Sequence, residues 1–271
     1  MTESKPKICM TIAGLDPSGG AGIIADIKTF AAFGCFPTAA AASLTFQNTQ
    51  GVYGSIDQDA ASIRGQAEPV FKDLSVDALK TGMLPNREVI TETAELIKEF
   101  QIEKVVVDPV VRSTSGFDLI DGAALKSLIE LLFPLATVIT PNIPEAERIS
   151  GVAIESAQDV REAAEVMHSM GARSVLIKGG HLSDAGTIPR MAADYLFLKG
   201  EEHVLEAKYI DTTATHGTGC TLAAAITANL ALGKELLDAV RAAKDFVHEA
   251  IRTAPHIGGG HSPINIQPIS R

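Results

Sequence analysis

Short runs of consecutive apolar residues alternate with amphipathic stretches along nearly the whole chain, and that alternation leaves few folds open. Apolar runs stand at 8–13, 38–45, 78–80, 104–108, 137–140 and 174–178. Between them, apolar residues recur at helical spacing over about 21–33, 59–73, 87–100, 122–132 and 157–170. Val105-Val106-Val107 is apolar on successive residues, so both faces of that strand must be covered, as in a parallel sheet. Strand and helix in repeated alternation predict an α/β fold, a mostly parallel central sheet flanked by helices on both sides. Residues 192–209 break the pattern. Two short alternating stretches, 194–198 and 203–209, surround Lys199-Gly200-Glu201-Glu202 and predict an antiparallel hairpin at the sheet edge. Helices over 219–232 and 235–253 close the fold, and the tail after Pro255, with Gly258-Gly259-Gly260, reads as flexible in part. No linker or repeat divides the 271 residues, so a single domain is expected.

In sheets of this kind ligands bind beyond the carboxyl ends of the strands, and the distinctive residues fall there. Ala13-Gly14 follows the first run, Lys80-Thr81-Gly82-Met83 the third, Asp108-Pro109 the fourth, Thr140-Pro141-Asn142 the fifth and Lys178-Gly179-Gly180-His181 the sixth. A further segment, Thr215-His216-Gly217-Thr218-Gly219-Cys220, runs directly into an alanine-rich stretch. Glycines spaced by one residue let the backbone turn tightly and aim bare N–H groups at one spot, and the following helix adds the positive end of its dipole. This is a cradle for an anion with Cys220 at its rim. A thiol at a helix N-terminus is expected to shift toward thiolate and to serve as base or nucleophile. The alternative is a cysteine that packs as a small apolar residue. The glycine-rich turn from Gly14 to Gly22 suits close approach to a ligand, or simply a packed strand–helix turn. No Gly-x4-Gly-Lys-Ser/Thr loop is present, which excludes a P-loop ATPase at the level of motif.

Charge narrows the partners. A formal net charge of -10 argues against non-specific binding of nucleic acid or an anionic membrane, so an anionic substrate must be held by helix N-termini and a few lysines. Cys9, Cys35 and Cys220 have no metal-ligand spacing and suit a reducing compartment. Residues 1–7 are polar, and no apolar run approaches the ~20 residues of a membrane span, so a cytoplasmic location is expected.

Taken together, the segment from Gly14 to Phe30, Gln47-Asn48-Thr49, Lys80-Thr81-Gly82-Met83-Leu84, Asp108-Pro109-Val110, Thr140-Pro141-Asn142-Ile143-Pro144-Glu145-Ala146-Glu147, Lys178-Gly179-Gly180-His181 and Thr215-His216-Gly217-Thr218-Gly219-Cys220 resemble, in order, the motifs of the hydroxymethylpyrimidine and hydroxymethylpyrimidine-phosphate kinases of thiamin synthesis. The resemblance runs from about residue 8 to 251 and implies a ribokinase-like fold. It implies an enzyme that uses ATP and Mg2+ to phosphorylate 4-amino-5-hydroxymethyl-2-methylpyrimidine and then its monophosphate. The fold's relatives are often dimers, so a homodimer is expected, and close relatives phosphorylate pyridoxal. Leu15, Pro17 and the stretch Val111-Arg112-Ser113-Thr114 depart from the family pattern beside binding loops.

The resemblance assigns roles that residue chemistry can carry. Amides of Gly217, Gly219 and Cys220 would hold the γ-phosphoryl oxygens, with Cys220 near the substrate hydroxymethyl group to remove its proton. Cys220 should then matter more for the first phosphorylation than for the second, whose acceptor is already a phosphate. Gln47 would read the aminopyrimidine edge, since a carboxamide sets donor beside acceptor; a surface loop amide is the other reading. Gly14, Asp26, Met83 and Val110 match substrate-pocket positions, although Asp26 is equally a polar position on a helix. Asn142, Lys178 and Thr215 would meet the nucleotide, and Glu145 and Asp108 the magnesium. Asn142 and Glu145 also suit helix capping, and Lys178 a surface lysine. A pyridoxal or pyridoxine kinase and a non-catalytic pyrimidine sensor are the rival functions. His256 and His261 lack metal-ligand partners in the sequence and read as part of the tail, and whether residues 179–190 close over the site is left open.

Overall fold

Val105, Val106 and Val107 are fully buried, the outer two against one helical layer and the middle one against the other. The same alternation in Val175, Leu176 and Ile177 repeats that two-sided cover. The computed structural model describes residues 5–111, 119–179 and 190–266. Among them, β1 (Ile8–Leu15), β2 (Phe36–Asn48), β3 (Gly51–Asp57), β4 (Ala78–Thr81), β5 (Val105–Val107), β6 (Val138–Ile139), β7 (Ser174–Lys178), β8 (Met191–Leu198) and β9 (Glu201–Lys208) form one sheet. Its order is β3-β2-β1-β4-β5-β6-β7-β8-β9. The pairings from β2 through β7 are parallel, and β3, β8 and β9 add antiparallel edges.

On one face lie α2 (Ala60–Asp73), α3 (Arg87–Glu99), α4 (Gly122–Leu132), α5 (Ile143–Ser150) and α6 (Ala157–Ser169). On the other lie α1 (Gly22–Ala32), α7 (Thr218–Ala231) and α8 (Leu236–Arg252). Helix α7 is buried at every residue from Thr221 to Ala231, and its small side chains let it lie close beneath α1 and the central strands. The helices on the first face carry side-chain caps at Asp59, Asn86, Asp121, Asn142 and Ser156. Helices α1 and α7 begin at Ala21 and Gly217 with no capping side chain.

The edges differ from expectation in two ways. Strand β3 was missed, because Gly51, Gly54 and Ser55 dilute its alternation; tertiary pairing with β2 compensates. In the β8–β9 hairpin the turn is only Lys199-Gly200, both left-handed at φ 54 and 82, and the ladder takes in Glu201 and Glu202. The tail is also more ordered than its glycines suggest. Through residue 266 it lies on the body: the His261 amide donates to the Thr49 carbonyl at 2.8 Å, Asn265 to Ala250 at 2.9 Å, and Ser262 and Ile264 are buried. A Cβ at Gly260 would come within 2.2 Å of the Thr49 carbonyl, so glycine here permits close packing rather than disorder.

Candidate active site

A cavity of about 810 Å³ runs along the carboxyl edge of the parallel strands and is lined at once by Gln47, Asn142 and Cys220. Its near end, at β1 and β2, is formed by Gly14, Thr45, Gln47, Val52, Met83 and Val110. Gln47 is a strand residue, not a loop amide. A bulge in the β2–β3 ladder sets Val52 opposite Gln47, and both face the cavity. The Gln47 amide oxygen lies 3.1 Å from the Thr45 hydroxyl, whose single proton it shares with the Leu15 carbonyl at 3.0 Å. Met83 closes on Gly14, where a Cβ would meet the sulfur at 3.1 Å. The side chains of Leu15 and Pro17 are not part of the lining, and Arg112, His181 and most of the 179–190 loop lie outside the described residues.

The middle of the cavity is where charge gathers. Gly217 holds φ 83 at the N-cap of α7, and a Cβ there would collide with the Gly20 carbonyl at 1.8 Å. Only glycine fits both constraints. Gly217, Thr218, Gly219 and Cys220 line the cavity, so the uncapped first turn of α7 presents its backbone to the interior. A Cβ at Gly219 would point toward Lys178, 3.2 Å from its Nζ. The Lys178 ammonium donates to Asp108 Oδ1 at 2.9 Å and lies 4.0 Å from Glu145 Oε2. It is no surface lysine. Burial would lower its pKa, but Asp108 and then Glu145 outweigh burial and raise it. Thr215 also lines the cavity, its hydroxyl 3.2 Å from His261 Nδ1.

Asn142 and Glu145 form a reciprocal capping box on α5: the Asn142 side chain accepts from the Glu145 amide at 2.9 Å, and Glu145 Oε2 from the Asn142 amide at 2.8 Å. Burial, the largest influence, pushes the Glu145 carboxyl up to about 7; Lys178 opposes that shift and Asp108 reinforces it. Asp108 Oδ1 also accepts from the Thr140 hydroxyl at 3.0 Å. Two carboxylates facing one cavity suit a hard cation that keeps most of its waters and shares phosphate oxygens. No cluster of three metal-ligating side chains exists among the described residues, so no all-protein cage is present there.

Two expectations change. Asp26 does not reach the cavity: it is fully buried on α1, with its carboxylate 2.8 and 3.0 Å from Lys80 Nζ and 2.7 Å from the Thr11 hydroxyl. Its helix position faces the sheet, and its partner is a buried lysine rather than a ligand. Burial would lower the Lys80 pKa, but the Asp26 carboxylate more than offsets that and holds the ammonium charged. Cys220, in turn, is a thiol and not a thiolate at neutral pH. Burial is the largest influence and pushes it up to about 11, with Asp26 and Asp108 adding to it and Lys80 opposing. The Lys80 charge and the Gly22 amide lower it without offsetting burial.

Lys80, Asp16 and His216 stand within the sequence motifs and Thr45 outside them; none was assigned a role of its own, and all four line the cavity. A lysine inside the four-residue strand Ala78–Thr81 was a readable sign of a buried pair. The far end of the cavity, around Tyr209, Thr212, Leu222, Val247 and Ile251, had no such sign, because it is assembled from β9, α7, α8 and the loop between β9 and α7.

Comparison with known proteins gives a consistent result. The profile of the phosphomethylpyrimidine kinase family matches residues 16–265. A hydroxymethylpyrimidine/phosphomethylpyrimidine kinase of Bacillus subtilis is 44% identical over 94% of this chain and 93% of its own length. The thiamine biosynthesis bifunctional protein of Geobacter sulfurreducens is also 44% identical over 94% of the chain, which spans 51% of that longer protein. Among solved structures, the ADP complex of Bacillus subtilis pyridoxal kinase superposes with a TM-score of 0.87 at 37% identity, covering 97% of this chain and 98% of that one.

Proposed function

The chain belongs to the phosphomethylpyrimidine kinase family, with its ribokinase-like fold, and from that premise we propose that it moves the terminal phosphoryl group of ATP to 4-amino-5-hydroxymethyl-2-methylpyrimidine and then to the resulting monophosphate, for thiamin synthesis. The observation that carries the reading is the uncapped N-terminus of α7, open on a cavity beside the Lys178 ammonium. Phosphoryl transfer asks a protein for position and charge rather than covalent chemistry. Amides of Gly217, Gly219 and Cys220 supply preorganised donors for oxygens that gain charge, and Lys178 supplies a partly desolvated cation. Glu145 and Asp108 would hold magnesium, which neutralises phosphate charge when bound. The Asn142 side-chain oxygen is committed to its cap, which holds Glu145 in place and leaves the Asn142 amide NH2 for the nucleotide.

In the first step the hydroxymethyl oxygen bonds to phosphorus as the bond to the ADP leaving oxygen breaks. The hydroxyl proton leaves late in a loose transition state. A sulfur whose pKa lies near 11 takes that proton only through its minor thiolate form, which fits a helper rather than a driving base. At the near end Gln47, beside Thr45, reads the amino group and ring nitrogen, while Met83, Val110 and Gly14 pack on the ring. The far end takes the nucleoside.

A homodimer is part of the proposal: Phe36, Leu44, Phe46, Tyr53 and Ile56 form exposed apolar surface on the β2–β3 edge, which a second copy would cover. Three free cysteines suit a reducing, cytoplasmic setting, and no helix among the described residues is long and apolar enough to cross a membrane. Pyridoxal is a second acceptor to test, given the similarity to a pyridoxal kinase. The experiment is ADP release with the free pyrimidine, its monophosphate and pyridoxal, side by side, in wild type and Gln47→Met. Turnover of both pyrimidines is expected, with about a 100-fold loss of pyrimidine kcat/KM in the variant and little change for pyridoxal. Absence of ADP formation with either pyrimidine would refute the assignment.

A further inference from the structure

His216 immediately precedes the left-handed N-cap of α7, and its side chain takes no part in the chemistry described so far. It is buried, and its Nε2 lies 2.7 Å from Asp16 Oδ2. The Asp16 carboxylate, itself buried, also gathers the Ser18 amide at 2.8 Å, the Ser18 hydroxyl at 2.9 Å and the Ala21 amide at 2.9 Å. It thereby holds the glycine turn between β1 and α1 in one shape. The imidazole lies directly on that turn, since a Cβ at Gly20 would meet His216 Cδ2 at 2.3 Å. On the third side the His216 amide donates to the Ser262 carbonyl at 3.3 Å, and His216 pairs with Pro263 in a parallel bridge. Three segments far apart in sequence are thus fastened at one imidazole, one residue from the amides that face the cavity.

We infer that the His216–Asp16 pair is a positioning device for phosphoryl transfer: it fixes where the first turn of α7 stands relative to the glycine turn, and so where the amides of Gly217, Gly219 and Cys220 point. The Gly20 carbonyl packs within 1.8 Å of the position a Gly217 Cβ would take, so the two loops have no slack and any shift of one moves the other. Donors must sit within a fraction of an ångström of the charge they stabilise, so a loose clasp acts on turnover more than on pyrimidine binding. Asp16 is suited to the task. Burial alone would raise its carboxyl, but His216 and Ser18 together hold it below the ordinary aspartate value and keep it charged.

This inference rests on the kinase reading, and its test separates the two. His216→Leu, His216→Gln and Asp16→Asn are compared with wild type for kcat, for KM of pyrimidine and ATP, and for calorimetric affinity for AMP-PCP and AMP. His216→Leu should lower kcat about 10–100-fold with pyrimidine KM within about threefold, and shrink the preference for AMP-PCP over AMP about tenfold. His216→Gln, whose amide can still donate to Asp16, should recover most of both. If His216→Leu does not fold, Gln against the shorter Asn gives the same comparison. The inference is overturned if kcat in His216→Leu stays within twofold of wild type, if Gln rescues no better than Leu, or if pyrimidine and nucleotide affinities fall together. Were wild type inactive on pyrimidine, the kinase reading would fail while the AMP-PCP to AMP ratio still decided the role of His216.

Discussion

Asp26→Asn isolates what the buried Lys80 costs the fold when it stands alone. Both side chains are 0% exposed, and two oxygens face the ammonium at 2.8 and 3.0 Å. The asparagine keeps the shape and can still accept from Thr11, but it removes the charge. A buried ammonium without its hydrogen-bonded counter-ion remains, with Asp108 as the other carboxylate acting on it, and breaking one side of such a pair costs about 3–5 kcal/mol. Lys80 can escape part of that cost by losing its proton, because without Asp26 its pKa falls below the unfolded value. The folded state then binds fewer protons than the unfolded one, so the variant regains stability as pH rises from about 7 to 9. Wild type lacks that dependence, since its Lys80 pKa lies above the ordinary range. Urea unfolding of wild type, Asp26→Asn and Asp26→Asn/Lys80→Met at the two pH values measures this. The double variant should recover to within about 2 kcal/mol of wild type, because a neutral amide and an apolar side chain replace the pair with no charge left behind. A loss below about 1 kcal/mol in Asp26→Asn, together with a selective loss of pyrimidine affinity, would refute the reasoning and restore Asp26 to the substrate.

Iodoacetamide should label Cys220 about 100-fold more slowly at neutral pH than a thiol of pKa 9.0, and the rate should climb about tenfold per pH unit toward 11; Cys9 and Cys35 are too buried to compete. Fast labelling at neutral pH would contradict the burial argument. Glu145, with a folded pKa near 7 raised from 4.5, favours folding fully below about pH 4.5, and that favour is lost as pH rises through 7. Without nucleotide or divalent cation, Glu145→Gln should therefore gain about 2–3 kcal/mol on wild type between pH 5 and 8 while losing activity, and a pH-independent difference in melting would count against this. Gly219→Ala should fold, since its Cβ meets no backbone, only the end of Lys178 at 3.2 Å and Asp108 at 4.0 Å, yet lower kcat/KM about 100-fold by crowding the cradle. Near-normal turnover in that variant would mean the amides do not face the phosphates.

The layered fold was legible because its signals are local. Three consecutive valines demand cover on both faces, and Lys199-Gly200 can adopt the paired left-handed turn that a tight hairpin requires. Gly217, Gly219, Cys220, Asn142 and Lys178 line one cavity for a similar reason, since strand ends and helix starts fall on one edge in a parallel sheet. Strand β3 escaped, because its side of the ladder is held by partners on β2 rather than by its own residues. The packing of Gly258, Gly259 and Gly260 was not legible, because it comes from contact with Thr49 and Gln50 some two hundred residues earlier.

Sequence alone determined the layered architecture and brought the strand-end motifs and the glycine turn before α7 to one edge, since each follows from periodicity or from backbone freedom at named glycines. Tertiary structure alone decided which ionisable groups are spent on one another. It turned Asp26 from the pocket to Lys80, kept Cys220 a thiol and joined His216 to Asp16. Charge state and availability depend on distance to partners and to water, and neither distance is written along the chain.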